Sequence, residues 1–344
     1  MAFAKAAVVV SFVAICALSK LVRFRISSIY DFICHRTSKF VALEIVSGAR
    51  QTRSGRNGMK RRRRAVLMGL AAAATPFVAT RGWAQGPAPF RFALTPVFLD
   101  NDAAVISALR AALAEGMGQD IELVQRRTYQ EISGALLDGS VDAAWTCGYP
   151  YLQHKTELSL LGVPVWREQP LYQSYLIVAE DDPATALSDL RGAAHAFSDP
   201  DSNSGFLVTA SDLARDGQTP DQFFSRVIFT YGHRNVVRAV AGGLTRSGSV
   251  DGYVWEALSS AEPDLTARTK VIVRSEWLGF PPMVARADRM GEPSVMACKS
   301  ALLGLSATVQ GREALKLLSL DAIETAEDAL FDGIAARMAI LSGG

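Results

Sequence analysis

The sequence predicts an α/β protein of two similar lobes with mostly parallel sheets, joined by a hinge of two strands. Three observations carry this expectation. From Phe90 onward, short β-rich runs alternate with helical patterns, the arrangement that builds sheets covered by helices. A unit of short helix, Gly-Ser and Val-Asp occurs twice: Tyr129–Asp138 before Gly139-Ser140-Val141-Asp142, and Asn235–Leu244 before Gly248-Ser249-Val250-Asp251. After Ser275 one short strand, Met283–Ala285, is followed mainly by helical patterns, including Glu292–Leu305 and Arg312–Leu318, which suits a tail folded back onto the first lobe.

Before that region, an apolar stretch runs from Ala6 to Val22, followed by a basic segment through Gly58. Lys60 to Arg64 then precede a second apolar stretch, Ala65 to Ala79, and Gly82-Trp83-Ala84 offers small residues where signal peptidase inspects the chain. Residues 59–84 are therefore expected to be an export signal cleaved after Ala84. The arginine run fits the twin-arginine route and also the Sec route. Two export signals in tandem are hard to reconcile, so translation is expected to start at Met59 and residues 1–58 not to be translated. A genuine N-terminal membrane anchor is the alternative.

In the globular part, strands are expected near Phe90–Leu94, Ile121–Val124, Val141–Trp145, Tyr172–Val178, His195–Phe197, Val227–Phe229, Val250–Tyr253 and Val271–Val273. Asp100 or Asn101 can cap a helix running to about Glu115, with Val105, Ile106, Leu109 and Leu113 on one face and Gly116 as its stop. The hinge is expected where Tyr172–Glu180 leads out and roughly Glu276–Ala285 leads back. That assigns 88–178 plus 276–344 to one lobe and 179–275 to the other.

Composition narrows the function. The net charge is +2, and much of the basic excess lies before residue 65, so no broad positive field argues for nucleic acid. Only Cys147 and Cys298 fall in the globular region, without the spacing of a zinc or redox pair. They are expected to be free buried thiols, a disulfide between them being the alternative. Four histidines without ligand spacing imply no metal, and no cofactor is expected.

The candidate site residues lie where strands end and helices begin, the place at which open α/β sheets bind ligands. Asp199-Pro200-Asp201-Ser202-Asn203-Ser204-Gly205 follows one strand and opens a helix, so the hydroxyls of Ser202 and Ser204, the Asn203 amide and free main-chain N–H groups can converge on an anion. Tyr231-Gly232-His233 does the same, and His233 can donate a ring N–H. Thr95 and Thr146-Cys147-Gly148-Tyr149 are the matching loops of the first lobe. Asp251, with Tyr253 and Trp255 nearby, can accept a proton from a monoprotonated oxyanion or bind a cationic tail, while repelling a fully ionised anion. Asp142, its counterpart in the first unit, is expected to be only a cap or turn residue.

With Ser202–Val208, Gly232-His233 and Gly248–Asp251 in this order, the chain resembles the periplasmic phosphonate/phosphite-binding proteins of the PhnD type, a branch of the type II solute-binding fold. The resemblance runs from about Phe90 to about Leu330. It implies two lobes closing on a phosphonate, phosphite or phosphate-like oxyanion, with Ser202, Ser204, His233, Tyr149 and Asp251 matching site positions. Asn203 stands where such proteins usually carry a hydroxyl residue. The resemblance also implies an exported, monomeric, non-enzymatic binding protein that serves the permease and ATPase of an ABC importer. Two rivals remain at this point: a membrane-tethered sensor or scaffold with the same fold, and a hydrolase using Ser202 or Ser204 with His233 and Asp251, although no Gly-x-Ser-x-Gly elbow is present.

Overall fold

Along Phe90–Leu94 (β1) all residues but one are buried, as a strand covered by helices on both faces must be. It opens the region described by a computed structural model, residues 88–95 and 103–343, within the second of the two units into which the chain divides, Arg81–Gly344. The export signal and the upstream extension lie outside the described residues. The first lobe continues with α1 (Ala103–Met117), β2 (Ile121–Gln125), α2 (Tyr129–Leu137), β3 (Ala143–Trp145), α3 (Gly148–Gln153) and β4 (Leu158–Val165). Helix α1 buries Val105, Leu109, Ala112 and Leu113, each large side chain contributing about 1.5–3 kcal/mol by leaving water. Helix α2 starts where Thr128 Oγ1 accepts the Glu131 N–H (3.1 Å) while the Glu131 carboxylate accepts the Arg127 N–H (3.0 Å). This exchange satisfies two main-chain donors at once.

The chain crosses to the second lobe through β5 (Leu171–Tyr172) and builds β6 (Ser174–Ala179), β7 (Ala194–Phe197), a π-type turn (Asn203–Leu207), α4 (Val208–Arg215), α5 (Pro220–Phe223), β8 (Arg226–Phe229), α6 (His233–Ala241), β9 (Ser247–Asp251), α7 (Gly252–Ala261), α8 (Pro263–Thr266) and β10 (Thr269–Arg274). It returns through β11 (Leu278–Gly279), antiparallel to β5. The tail adds β12 (Met283–Arg286), α9 (Pro293–Leu303), α10 (Val309–Leu317), β13 (Ala322–Glu324) and α11 (Asp332–Leu341). The first sheet runs β13-β4-β12-β3-β1-β2 and the second β10-β6-β9-β7-β8.

Three expectations are corrected. The sheets are mixed rather than mostly parallel: β1–β2, β1–β3, β7–β8 and β7–β9 are parallel, whereas β12 runs against β3 and β4, β13 against β4, and β6 against β9 and β10. Helical crossovers make the parallel pairs; strands arriving from the hinge or the tail run against their neighbours. The crossing itself falls at β5 and β11, because β6 already belongs to the second sheet, so Ser174–Val178 moves from the first lobe to the second.

The repeated Gly-Ser-Val-Asp unit is not structurally equivalent in its two copies. Asp142 precedes β3, where its carboxylate accepts the Arg91 N–H (2.7 Å) and pairs with Arg289 (2.9 Å). Asp251 instead ends β9. Gly248 is a strand residue, not a turn, because a Cβ there would stand 2.4 Å from Val236 Cγ1 on the covering helix α6.

Candidate functional site

The parallel strands bring the carboxyl ends of β1, β2 and β3 to one edge of the first sheet and those of β7, β8 and β9 to one edge of the second. The two edges meet. Across the cleft the Asn203 N–H donates to Cys147 Sγ (3.2 Å), the Tyr129 N–H to Asp199 Oδ2 (3.4 Å), and Gln153 Nε2 to Asp201 Oδ1 (3.3 Å).

On the second-lobe side, Ser202 caps the π-type turn by accepting the Gly205 N–H (3.0 Å). Such turns recur at functional sites because they re-aim a helix start. Glycine is required at 205, since a Cβ would stand 1.8 Å from Ser198 Oγ. The Asn203 amide donates to the Tyr172 hydroxyl (2.8 Å), the Ser204 side chain also bonds to Tyr172, and the Ser204 carbonyl accepts the Ser174 hydroxyl (2.6 Å).

His233 opens α6 and is buried. Its Nδ1 accepts the main-chain N–H of Asp251 (3.0 Å). Burial pushes its pKa down to about 3, so the ring is neutral at physiological pH and its proton resides on Nε2. Asp251 caps α7 by accepting the Val254 N–H (3.3 Å). Burial raises its carboxyl to about 7, against the opposing pull of main-chain N–H groups from Val254 and Tyr253.

The first lobe and hinge complete the cluster. Burial raises the phenols of Tyr129 and Tyr172 well above their ordinary value, and pushes the Cys147 thiol up to about 11. Tyr129 feels the charges of Cys147, Asp199, Tyr172 and Asp251, and Tyr172 those of Cys147 and Asp251, so these groups lie close enough to interact. Three polar atoms on the same loops, Thr146 Oγ1, Ser198 Oγ and Asn203 Oδ1, are buried without a hydrogen-bond partner among the described residues. Leaving such atoms unpaired costs about 1–3 kcal/mol each, a cost that a polar ligand can offset.

Of the sequence-predicted residues, the structure brings together Ser202, Asn203, Ser204, His233 and Asp251. Thr95 is buried at the flank, its hydroxyl donating to the Trp145 carbonyl (3.1 Å). Tyr149 is half-buried beside Asp201 and Gln153, near the Gln153–Asp201 bridge between the lobes. Tyr253 is corrected: its hydroxyl donates to the Leu318 carbonyl and its ring packs against Trp166 and Phe280, so it links the lobes structurally. Sequence reasoning missed Tyr129 and Tyr172. The first opens a helix just after a strand end, the same signal that found His233; the second was placed on the hinge, but its hydroxyl's contact with Asn203 depends on how the second lobe folds back. Cys147 and Cys298 are free and buried.

Two α/β lobes joined by paired hinge strands, with a polar cleft where strand ends meet helix starts, define a solute-binding protein of the type II periplasmic fold. Residues 92–331 match the family described as the periplasmic substrate-binding protein of phosphonate ABC transporters, and the chain belongs to that family. A phosphate-import protein PhnD from Mycolicibacterium smegmatis is 29% identical over 148 residues, covering 40% of this chain and 46% of that relative. Thus the match spans less than half of the relative's length. Among solved structures, the binding-protein component of an ABC phosphonate transporter from Pseudomonas aeruginosa is similar at TM-score 0.68 and 18% identity, covering 74% of this chain and 87% of that one. PhnD1 from Prochlorococcus marinus, in complex with methylphosphonate, is similar at TM-score 0.65 and 16% identity, covering 74% and 98%. The alkanesulfonate-binding protein SsuA from Xanthomonas axonopodis pv. citri, bound to MOPS, is similar at TM-score 0.53 and 15% identity, covering 75% and 93%. At these identities the likeness is one of fold.

Proposed function

We propose that this chain captures a phosphonate, phosphite or phosphate-like oxyanion in its interlobe cleft, as the exported periplasmic component of an ABC importer, and that it acts as a monomer without catalysing a reaction. The observation that carries the reading is the tautomer of His233. With Nδ1 accepting the Asp251 N–H (3.0 Å), the ring presents Nε2–H to the cluster as a neutral donor. The Ser202 hydroxyl hydrogen adds a further donor, while the Asn203 and Gly205 N–H groups are already given to Cys147 Sγ and Ser202 Oγ, and a helix start favours negative charge. Family membership supports the same ligand class.

The same tautomer argues against a hydrolase. A Ser-His-Asp triad needs Nδ1–H donated to a carboxylate and a bare Nε2 to take the serine proton; here Nδ1 is an acceptor. The Ser202 hydroxyl oxygen is also engaged by the Gly205 N–H.

The test is a thermal-shift and calorimetric screen of methylphosphonate, phosphite, phosphate, sulfate and methanesulfonate. A ligand bound only by the folded state stabilises it by mass action, about 2.7 kcal/mol at a hundredfold excess over Kd. Stabilisation by at least one phosphorus oxyanion and none by sulfate is the expected pattern. Stabilisation by none of the phosphorus compounds would refute the proposal.

A further inference from the structure

Beside the polar cluster, a cavity of about 320 Å³ opens between the lobes. Its walls include Thr95 at the end of β1, Arg126 and Arg127 just past the end of β2, and Tyr231 and Asn235 after β8. Two of these segments also supply the cluster: Tyr129 follows Arg127 by two residues after β2, and His233 lies between Tyr231 and Asn235 after β8. Two residues of chain span at most roughly 7 Å, so the cavity adjoins the cluster within that distance.

The chemistry of the two compartments differs. The cluster is made of hydroxyls, a neutral imidazole, a thiol and acids. The cavity is lined by two exposed arginines, Arg126 and Arg127. Arg126 turns one N–H to the Gln125 carbonyl (3.0 Å), and Glu131 accepts the main-chain N–H of Arg127 rather than its side chain. Neither guanidinium forms an ion pair among the described residues. Tyr231 stands at φ 51°, a conformation a bulky side chain adopts only when its surroundings impose it, and its ring is 40% exposed at this wall.

We infer that the ligand is bifunctional: its oxyanion head sits in the neutral cluster, and a second anionic group, carried on a short chain, reaches Arg126 and Arg127 in the adjoining cavity. The inference rests on the oxyanion reading above. An extended chain advances roughly 1.2 Å per bond, so this distance between the compartments corresponds to a separation of up to about six bonds. Guanidinium groups suit a planar carboxylate, which they can grip with two parallel N–H donors.

The test is calorimetry with three probes: methylphosphonate, butylphosphonate and 4-phosphonobutyrate, the last two matched in length but differing in the terminal carboxylate. In 50 mM salt the carboxylated probe is expected to bind about tenfold tighter than butylphosphonate, an advantage shrinking to about twofold in 0.5 M salt as the exposed charges are screened. The double variant Arg126→Gln/Arg127→Gln should erase that advantage and leave methylphosphonate affinity unchanged. Equal affinity for the matched pair, or a variant that weakens methylphosphonate as much as 4-phosphonobutyrate, would overturn the inference while leaving the oxyanion reading intact. If none of the three binds, the inference falls, and the oxyanion reading is then decided by phosphite and phosphate in the same assay.

Discussion

Replacing Asp251 by asparagine tests the electrostatics of the cluster without a ligand. Asparagine keeps the shape and can still cap α7, so the variant should fold. In the unfolded chain a carboxyl near 3.8 is ionised throughout pH 5–8; in the folded protein burial holds Asp251 near 7. A carboxyl raised in this way stabilises fully below its unfolded value, and the contribution is lost as pH rises through the folded value. Integrating between pH 5 and pH 8, the wild type should lose about 3 kcal/mol relative to Asp251→Asn. Over roughly 250 folded residues the unfolding entropy is about 0.5 kcal/mol per degree, so the difference in Tm should move by about 6 °C.

The comparison must be a difference between proteins. His195 and His233 are both buried and lowered to about 3, so their contribution is complete above 6.5 and lost as pH falls toward 3. Between pH 8 and pH 5 they withdraw about 2 kcal/mol each, opposing Asp251 and flattening the wild-type profile. Both histidines are common to the two proteins and cancel. Calorimetric Tm values of wild type and variant at pH 5 and pH 8 supply the measurement. A gap of the same size at both pH values would refute the burial of a protonated carboxyl at this position.

Three further outcomes follow from the geometry. His233→Ala should remain folded by circular dichroism and lose the thermal shift given by methylphosphonate; a retained shift would show that the ring is not a ligand donor. Gly205→Ala should destabilise by about 2–3 kcal/mol in urea unfolding, because the added Cβ would meet Ser198 Oγ at 1.8 Å and Ser198 Cβ at 2.7 Å. Arg337→Met should cost about 3 kcal/mol at an unchanged urea m-value, since the buried guanidinium on α11 binds Asp212, Ser211 and the Val208 carbonyl of the second lobe together with Glu276; a loss below 1 kcal/mol would show that this tie adds little.

The sequence was most legible where local chemistry decides structure. The alternation of strand and helix, the Ser202–Gly205 loop and the His233 helix start each announce themselves through residues that are neighbours along the chain. Strand β4 did not, because Pro164 argues against a central strand, yet β12 and β13 pair with it on either side. Tyr253 was misassigned for a related reason. Proximity to Asp251 in sequence suggested the site, but a helix turns about 100° per residue, which sends the Tyr253 ring toward Trp166 and Phe280. The sequence starts that strand only at Val250, whereas it begins at Ser247 and needs glycine at 248, where a Cβ would stand 2.4 Å from Val236 Cγ1.

Among the described residues the cluster contains no cation. An anion among neutral donors, with Asp251 beside it, is tolerated only if that carboxyl is protonated. Since Asp251 titrates at about 7, bringing in negative charge must raise its proton affinity further, and binding then takes up a proton from solution or uses one carried by the ligand. Where the carboxyl is ionised, a monoprotonated phosphorus oxyanion can share its own proton with it in a hydrogen bond, whereas a sulfate or sulfonate must draw one from solution, which on the proposed oxyanion reading favours the phosphorus compound. On that reading, preference among tetrahedral anions of similar size depends on the position of a single proton, held where burial has made the carboxyl reluctant to ionise.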